Sequence, residues 1–421
     1  MTLIKSGTIL FIASMAGNIS NYLFQFFMSR YLSVEDYGTM NAALSMLVIV
    51  AIPSGTIMIV MAKYVSMFKA KEEEAHIASL YRNSLTKMAA VGAVCCFPFL
   101  VFNNSITGYL KMDSAWPVII TGIGLFGALV VTVNLGMLQG LQRFYYLGAG
   151  MGLGGFSKLF FGVAFVLLGF GLNGAIAAPV VSVFAIFVIT IVPLHVYFKK
   201  RENVEKYTKD ILLYGVPVLV SSIAFTTLTY IDLIIVKHIF SPEEAGLYAA
   251  VTILGKTVLY LPGAFVLALF PMVSESHALN NNTFKILDKA LFYTVGISMI
   301  GVLGFFLFPE LAIRVLFGNK FSNAAPLLKF YGLAMMFMAI ISILISFNLA
   351  RHKTGFIYSL VGGCVLLIIL LNIFHSSLFT VIFIIMAVNF CLAAINLWMV
   401  YQDKKVFYSV GEISMEGAGG K

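Results

Sequence analysis

Charged residues are scarce in this chain of 421 residues: they make up 11% of it, whereas hydrophobic residues make up 60%. A soluble domain carries roughly 25% charged and about 45–50% apolar residues. The composition therefore excludes a water-soluble fold. A membrane-spanning helix needs about 20 consecutive apolar residues, so the charges and turn residues that interrupt the apolar runs define the number of spans.

Cysteine is also rare, and its pattern excludes a metal site. No CxxC motif and no Cys/His cluster has the spacing that a metal requires. We interpret the four cysteines, all within apolar runs, as reduced packing residues: Cys95, Cys96, Cys364 and Cys391. The six histidines form no HExxH motif or triad-like group. We therefore predict that the chain is not an enzyme and has no cofactor.

The apolar runs predict an all-α polytopic membrane protein of about 12 transmembrane helices. The run from Gly7 to Met28 is too long for a signal-peptide core, so we expect it to be the first retained helix. The predicted spans are 7–29, 39–62, 86–107, 115–138, 144–168, 174–198, 211–236, 246–272, 289–308, 326–349, 355–373 and 376–400.

Basic residues are distributed unequally between the two sides of these spans. Of the 27 lysines and arginines, 19 fall on the side of both termini and 6 on the other side. By the positive-inside rule, both termini are cytoplasmic. The net charge of +9 thus reports topology and does not indicate a nucleic-acid partner. The six on the outer side are Arg30, Lys111, Lys237, Arg314, Lys320 and Lys329.

The two halves of the chain are related by an internal repeat. Residues 30–38 (RYLSVEDYG) align with residues 238–246 (HIFSPEEAG) at an offset of 208. Pro53 and Pro262 agree within one residue, and 138–143 pairs loosely with 348–353. We therefore predict two six-helix lobes related by a pseudo-two-fold along the membrane normal.

The polar segment 199–210 (KKRENVEKYTKD) is the natural boundary between the halves. We predict an N-terminal lobe over 1–198, a cytoplasmic linker over 199–210, a C-terminal lobe over 211–402 and a cytoplasmic tail over 403–421.

Two segments carry a resemblance to a known family. Residues 29–43 (SRYLSVEDYGTMNAA) are similar to the opening of polysaccharide transporters of the multidrug/oligosaccharidyl-lipid/polysaccharide (MOP) flippase superfamily. Residues 136–150 (GMLQGLQRFYYLGAG) resemble the link between the fourth and fifth helices of O-antigen and exopolysaccharide flippases. The spans and the repeat agree with that family over roughly residues 1–402.

The resemblance implies a V-shaped, two-lobed flippase in the bacterial cytoplasmic (inner) membrane. It would turn an undecaprenyl-pyrophosphate-linked oligosaccharide from the cytoplasmic to the outer leaflet, for O-antigen, capsule or exopolysaccharide synthesis. The partners would be the lipid-linked oligosaccharide, membrane lipids and a glycan polymerase.

Charged side chains within the spans are candidates for the substrate cavity, because a charge in hydrocarbon is costly and usually faces a bundle interior or water. Lys158 and Lys256 each lie about 15 Å below the outer end of their helix, at a rise of about 1.5 Å per residue. Both can attract a pyrophosphate. For Lys256 the alternative is an ion pair with Asp232, and for Lys158 it is snorkelling or an unseen partner.

Asp232 has a further interpretation as a proton or sodium site that couples transport to an ion gradient. Arg30, at the outer end of the first helix, is a candidate gate or headgroup contact, although an interfacial arginine often serves only as an anchor. Pro53 and Pro262, each beside glycine, are candidate hinges, with static kinks as the alternative.

Polar side chains follow one face of the first helix of each half. In the first helix they are Ser14, Asn18, Asn21 and Gln25, and in the seventh they are Ser222, Thr226 and Thr229. Such a stripe can line a hydrated cavity for sugar hydroxyls or can bond neighbouring helices. The glycine-rich run 148–155 lies in an apolar helix without a preceding strand, so we interpret it as small-residue helix packing.

Two other functions compete with the flippase. A cation-coupled multidrug or metabolite exporter of the same superfamily would carry buried carboxylates and little positive charge within the spans, whereas this chain has two lysines there against one acid. A membrane-embedded glycan polymerase or ligase would present a large outer loop, but the longest one here, near 309–325, is short.

Overall fold

The computed structural model describes residues 3–199, 208–263, 269, 272–273, 276 and 282–418. All regular structure in these residues is helical, as predicted. The helices are α1 (Leu3–Tyr31), α2 (Val34–Val50), α3 (Pro53–Ala70), α4 (Glu74–Val101), α5 (Asn103–Tyr109), α6 (Trp116–Gly140), α7 (Phe144–Phe165), α8 (Gly171–Ile191), α9 (Val196–Lys199), α10 (Thr208–Ile239), α11 (Pro242–Tyr260), α12 (Phe284–Leu307), α13 (Pro309–Phe317), α14 (Ala325–Ala350), α15 (Phe356–Ile373) and α16 (Leu378–Ala418).

The described helices confirm a polytopic membrane protein. Eight helical stretches are long and apolar enough to cross a membrane, and α2 with α3, bent by 41°, makes a ninth. One of the eight runs over Phe144–Leu194 and contains both α7 and α8. Positive φ angles at Gly169 and Gly171 reverse the chain there, and α7 packs against α8. This stretch is therefore a helical hairpin, in agreement with two predicted spans.

The other differences from the predicted spans concern their ends. The span 39–62 is broken after Val50, and the span 86–107 is interrupted between α4 and α5. The predicted outer loop near 309–325 contains α13 and a short 3₁₀ helix. The final helix continues to Ala418, so most of the predicted tail is helical. Most of the predicted linker lies outside the described residues.

The chain forms two compact units by contact density. The first comprises Met1–Thr226, Leu233–Ala249 and Leu316–Lys320, and the second comprises Thr227–Asp232, Ala250–Val315 and Phe321–Lys421. The first unit thus takes in two short segments from the C-terminal half of the sequence.

Within the first unit, α6 packs against α3, α4 and α8, and α7 packs against α1 and α8. Small residues allow the close approach of α1 to α7: a Cβ added at Gly155 would lie 2.7 Å from the Cα of Gly17. This contact agrees with the predicted small-residue packing of the 148–155 run. Buried Asn134 accepts a hydrogen bond from Tyr81 at 2.8 Å and donates one to Thr190 at 3.0 Å, which joins α4, α6 and α8.

Within the second unit, α14 packs against α12 and α16, and α15 packs against α16. Charged groups join the ends of these helices on the predicted cytoplasmic side. Asp403 of α16 pairs with Lys353 at 2.6 Å and with Arg351 at 3.5 Å, and Lys404 pairs with Asp288 of α12 at 2.7 Å. The first two pairs tie the chain after α14 to α16, and the third joins α16 to α12.

Both copies of the repeat have the same local geometry. Ser33 caps α2 by accepting a hydrogen bond from the Asp36 backbone at 3.0 Å, and Ser241 accepts one from the Glu244 backbone at 3.3 Å. The repeat segments 138–143 and 348–353 also match, at an offset of 210. Gln142 follows α6 and His352 follows α14, with φ angles of 59° and 56°. Equivalent sequences therefore start and end helices in the same way in both halves.

Candidate functional site

Lys158 lies on α7 beside the polar face of α1. Its half-buried ammonium donates a hydrogen bond to the side-chain oxygen of Asn21 at 3.0 Å and lies 4.5 Å from the ring centroid of Phe24. The amide and the aromatic face both stabilise a positive charge. Among the residues that the structure describes, no carboxylate forms an ion pair with Lys158, so this basic group within an apolar helix can attract an anion.

The predicted stripe on α1 divides into two parts. The Asn18 and Asn21 side chains are exposed on the protein surface, on the side of α1 that Lys158 contacts. Gln25 is engaged in packing instead: it donates to Asn41 at 3.1 Å and accepts from Tyr37 at 2.8 Å. The structure thus shows helix bonding for Gln25, whereas Asn18 and Asn21 lie at the surface and Asn21 also bonds Lys158.

The Ser14 side chain lies outside the described residues. The equivalent stripe on α10 has half-buried Ser222 and Thr226, whereas Thr229 is buried. The roles of all these residues in a cavity remain predictions.

A second polar cluster lies in the other unit, around Asp232 and Lys256. Both residues are buried, and the Asp232 carboxylate lies close enough to act on the Lys256 charge. Asp232 also accepts a hydrogen bond from the Tyr331 hydroxyl of α14 at 2.9 Å. The Lys256 ammonium lies 3.9 Å from the ring centroid of Tyr230. The structure therefore brings the two predicted residues together and adds two tyrosines.

The edge of this cluster is aromatic and partly exposed. The hydroxyls of Tyr230 and Tyr260 lie 2.8 Å apart, and Tyr260 is 52% exposed. The Lys256 ammonium lies against the Tyr230 ring, so this edge connects the buried charges with the exposed Tyr260.

The remaining predicted residues lie at helix ends. The Arg30 guanidinium lies 4.9 Å from the ring centroid of Phe26 and against Gly318. Pro53 begins α3, where the 41° bend occurs, and Pro262 follows the end of α11. These positions are compatible with hinges, and that role remains a prediction. Among the residues that the structure describes, no three His, Cys, Asp or Glu side chains converge on a metal site.

Several partners of these groups were not predicted from the sequence. These partners are polar residues in apolar helices, and each bonds or contacts a predicted site residue: Tyr331, Tyr230, Tyr37 and Asn41. A tyrosine hydroxyl within hydrocarbon needs a partner, which is the sequence signal that could have identified them. Lys237, expected only as an outer charge, is 1% exposed.

A tight contact positions Tyr331. A Cβ added at Gly255 would overlap the Tyr331 ring. We expect Gly255→Ala to lower the free energy of unfolding by about 1–3 kcal/mol, the usual effect of overpacking. Thermal unfolding of the purified protein in detergent measures this effect. Gly296→Ala, in α12 with nothing within 4 Å of the added Cβ, is the matched control; equal melting temperatures of the two variants would contradict the contact.

Comparison with known proteins gives matches over most of the chain. Residues 3–277 match the model of a family described as polysaccharide biosynthesis protein. An uncharacterised membrane protein of Methanocaldococcus jannaschii is 24% identical over 390 residues, which cover 88% of this chain and 90% of that protein.

Two solved structures share the fold. One is an inward-facing multidrug resistance MATE family transporter of the MOP superfamily, with a TM-score of 0.75 and 15% identity, over 93% of this chain and 96% of that one. The other is the lipid II flippase MurJ in an inward closed conformation, with a TM-score of 0.70 and 16% identity, over 94% of this chain and 87% of that one. At these identities the likeness shows the fold alone.

Proposed function

The chain belongs to the polysaccharide biosynthesis protein family, and from this premise we propose that it flips a lipid-linked oligosaccharide across the bacterial cytoplasmic membrane. The cargo is an undecaprenyl-pyrophosphate-linked saccharide that moves from the cytoplasmic to the outer leaflet by alternating access. Both termini are cytoplasmic, and a glycan polymerase receives the cargo outside. A solved structure of the same fold, the lipid II flippase MurJ, supports the proposal.

One observation carries this proposal: Lys158 holds a positive charge within a membrane-spanning hairpin, next to the exposed amides of Asn18 and Asn21. A pyrophosphate is strongly repelled by a low-dielectric interior, and a fixed lysine offsets that cost. The neighbouring amides offer donors and acceptors for sugar hydroxyls. The combination fits an anionic lipid with a polar saccharide better than an apolar cation.

The test is reconstitution of the purified protein in liposomes that contain an undecaprenyl-pyrophosphate-linked oligosaccharide. We expect saccharide from the inner leaflet to become accessible to a membrane-impermeant lectin only when the protein is present. Protein-free liposomes are the control for leakage. Accessibility equal to this control, with protein that is folded and inserted, would contradict the flippase function.

Asp232 favours a second candidate, a cation-coupled multidrug or metabolite exporter, since buried carboxylates bind coupling ions in membrane transporters. Coupling to a proton or sodium gradient is also compatible with a flippase. The same liposomes, with each gradient collapsed separately, decide whether flux depends on either ion. Efflux of a cationic dye without saccharide movement would favour the exporter.

A further inference from the structure

Basic side chains collect at one end of the second compact unit, where α12 and α15 begin, α14 ends and α16 leaves its membrane-spanning stretch. Ion pairs join these ends: Lys404 of α16 with Asp288 of α12 at 2.7 Å, and Lys353, in the turn after α14, with Asp403 of α16 at 2.6 Å. Five lysines form what we call the basic surface: Lys285, Lys289, Lys353, Lys404 and Lys405.

The basic surface carries more positive charge than its own acids neutralise. Asp288 and Asp403 are the acids that pair with it, and each already has a lysine partner. Arg351 also approaches Asp403, at 3.5 Å. The remaining lysines are exposed and form no ion pair with a carboxylate of the described residues: Lys285, Lys289 and Lys405. Their charge is therefore available to an anion.

Arg351 fixes the turn that carries Lys353. Its side chain is 10% exposed, and its guanidinium lies 4.7 Å from the ring centroid of Phe284 and 5.0 Å from that of Phe347. His352, with a φ angle of 56°, turns the chain so that Lys353 reaches α16. The turn between α14 and α15 is thus held against α12 and α16. A ligand bound at the basic surface does not have to order this turn first.

Exposed aromatic side chains border the basic surface on the side of the membrane spans. The Ser359 side chain of α15 and the Asn396 side chain of α16 bond each other, at 3.0 and 3.2 Å, and so fix the relative depth of these helices. Close to this bond, three rings are exposed: Tyr358 by 83%, Trp398 by 61% and Tyr401 by 63%. Exposed tryptophan and tyrosine are typical of the interface between a membrane and water. The lysines therefore lie at the level of the lipid headgroups.

We propose that the basic surface binds the phosphodiester headgroup of an anionic phospholipid of the inner leaflet. The exposed lysines attract the phosphate, since basic groups on the cytoplasmic side of a span favour anionic lipids. An ammonium on a flexible stem can follow a headgroup that moves in the plane of the membrane. The exposed rings contact the glycerol and the upper acyl chains, which a soluble anion lacks. The proposal does not depend on the identity of the cargo.

The test is native mass spectrometry of the purified full-length protein in detergent, titrated with phosphatidylglycerol. We expect this lipid to bind more tightly than phosphatidylcholine with the same acyl chains. Each exposed lysine is worth about fivefold in affinity for an anionic lipid. The combination of Lys285→Gln, Lys289→Gln and Lys405→Gln is therefore expected to lower the affinity for phosphatidylglycerol roughly 100-fold. Its affinity for phosphatidylcholine stays unchanged.

The matched control removes the same charge from the first compact unit. Lys63, Lys71 and Lys87 are also exposed and predicted on the cytoplasmic side. We expect their combined replacement by glutamine to leave the affinity for phosphatidylglycerol unchanged. An equal loss of affinity in both triple variants would show that net charge alone attracts the lipid, and would overturn the proposed site.

A second variant acts in the opposite direction. Asp288→Asn removes a negative charge from the basic surface and releases Lys404, so the affinity for phosphatidylglycerol should rise about fivefold. The Asp288 side chain is 56% exposed, and exposed ion pairs contribute little to stability. An unchanged or lower affinity of this variant would contradict the proposal.

Undecaprenyl pyrophosphate is the second probe, because the proposed cargo also carries a lipid-linked phosphate. We expect the triple lysine variant of the basic surface to bind this lipid as the native protein does. Loss of its binding in that variant would assign the basic surface to the cargo and overturn the phospholipid site. Lipid binding and saccharide flipping are separate measurements, so a protein that binds phosphatidylglycerol here without moving saccharide would contradict the flippase alone.

Discussion

Replacing Lys158 by alanine is expected to lower export of the lipid-linked saccharide by about 100-fold or more at unchanged protein abundance. Two unit charges 4 Å apart attract each other by about 4 kcal/mol at an effective dielectric constant of about 20, and each 1.4 kcal/mol is roughly a tenfold change. The Lys158 ammonium contacts Asn21 and Phe24 and forms no ion pair with a carboxylate of the described residues. Its charge is therefore available to the pyrophosphate.

The measurement is complementation of a strain from which the gene for this protein has been deleted. Immunoblots of the membrane fraction give the abundance of each variant. Lys158→Arg keeps the charge and is expected to retain most of the export. Lys329→Ala, a lysine outside the cluster, controls for a general loss of positive charge. Full export by Lys158→Ala would remove this residue from the cavity.

Replacing Asp232 by alanine is expected to cost about 3–5 kcal/mol of unfolding free energy, as for other buried ion pairs that lose one partner. The change leaves the Lys256 charge without its acid and removes the acceptor of the Tyr331 hydroxyl. Thermal unfolding in detergent is the measurement. A second replacement, Lys256→Met, removes the uncompensated charge, so we expect the double variant to recover most of the lost stability. A melting temperature equal to that of the native protein after Asp232→Ala alone would contradict the pairing.

Export by the double variant distinguishes the two roles of Asp232. If the acid only neutralises Lys256, the residual flux of the stable double variant keeps the native dependence on ion gradients, even where the loss of Lys256 lowers its rate. If Asp232 carries a coupling ion, the double variant is stable but its flux no longer responds to the gradient. The stability measurement therefore separates folding defects from transport defects.

Helix existence could be predicted from the sequence because it depends on local properties. Apolar length places eleven of the predicted spans on described helices, whereas the span 246–272 matches α11 up to Tyr260 and then continues into residues that lie largely outside the described part of the chain. The Ser33 and Ser241 caps and the turns at Gln142 and His352 follow from residues within a few positions of each other. Helix breaks were less predictable: Pro53 indicated a kink but not two separate helices, and the polar residues Asn103 and Asn104 did not by themselves show that the helix ends at Val101.

The polar residues inside the helices show the limit of sequence reasoning. Lys158, Asp232 and Lys256 could be identified, because charge within an apolar run is costly wherever the run packs. Their partners could not be identified, because Asn21 and Tyr331 lie 137 and 99 residues away from them in the sequence. Gln25 shared a face with Asn18 and Asn21, but only the packing of α2 shows that Tyr37 and Asn41 use its amide.

The sequence by itself thus determined the membrane fold, the repeat and the charged candidates, since each depends on apolar length, residue spacing or the cost of a buried charge. Tertiary structure decided which polar groups are occupied and which are available to a cargo. It also decided that Lys237 is buried and that Gly38 touches Gly246. Those features depend on the approach of segments about 200 residues apart, which no local pattern in an apolar chain encodes.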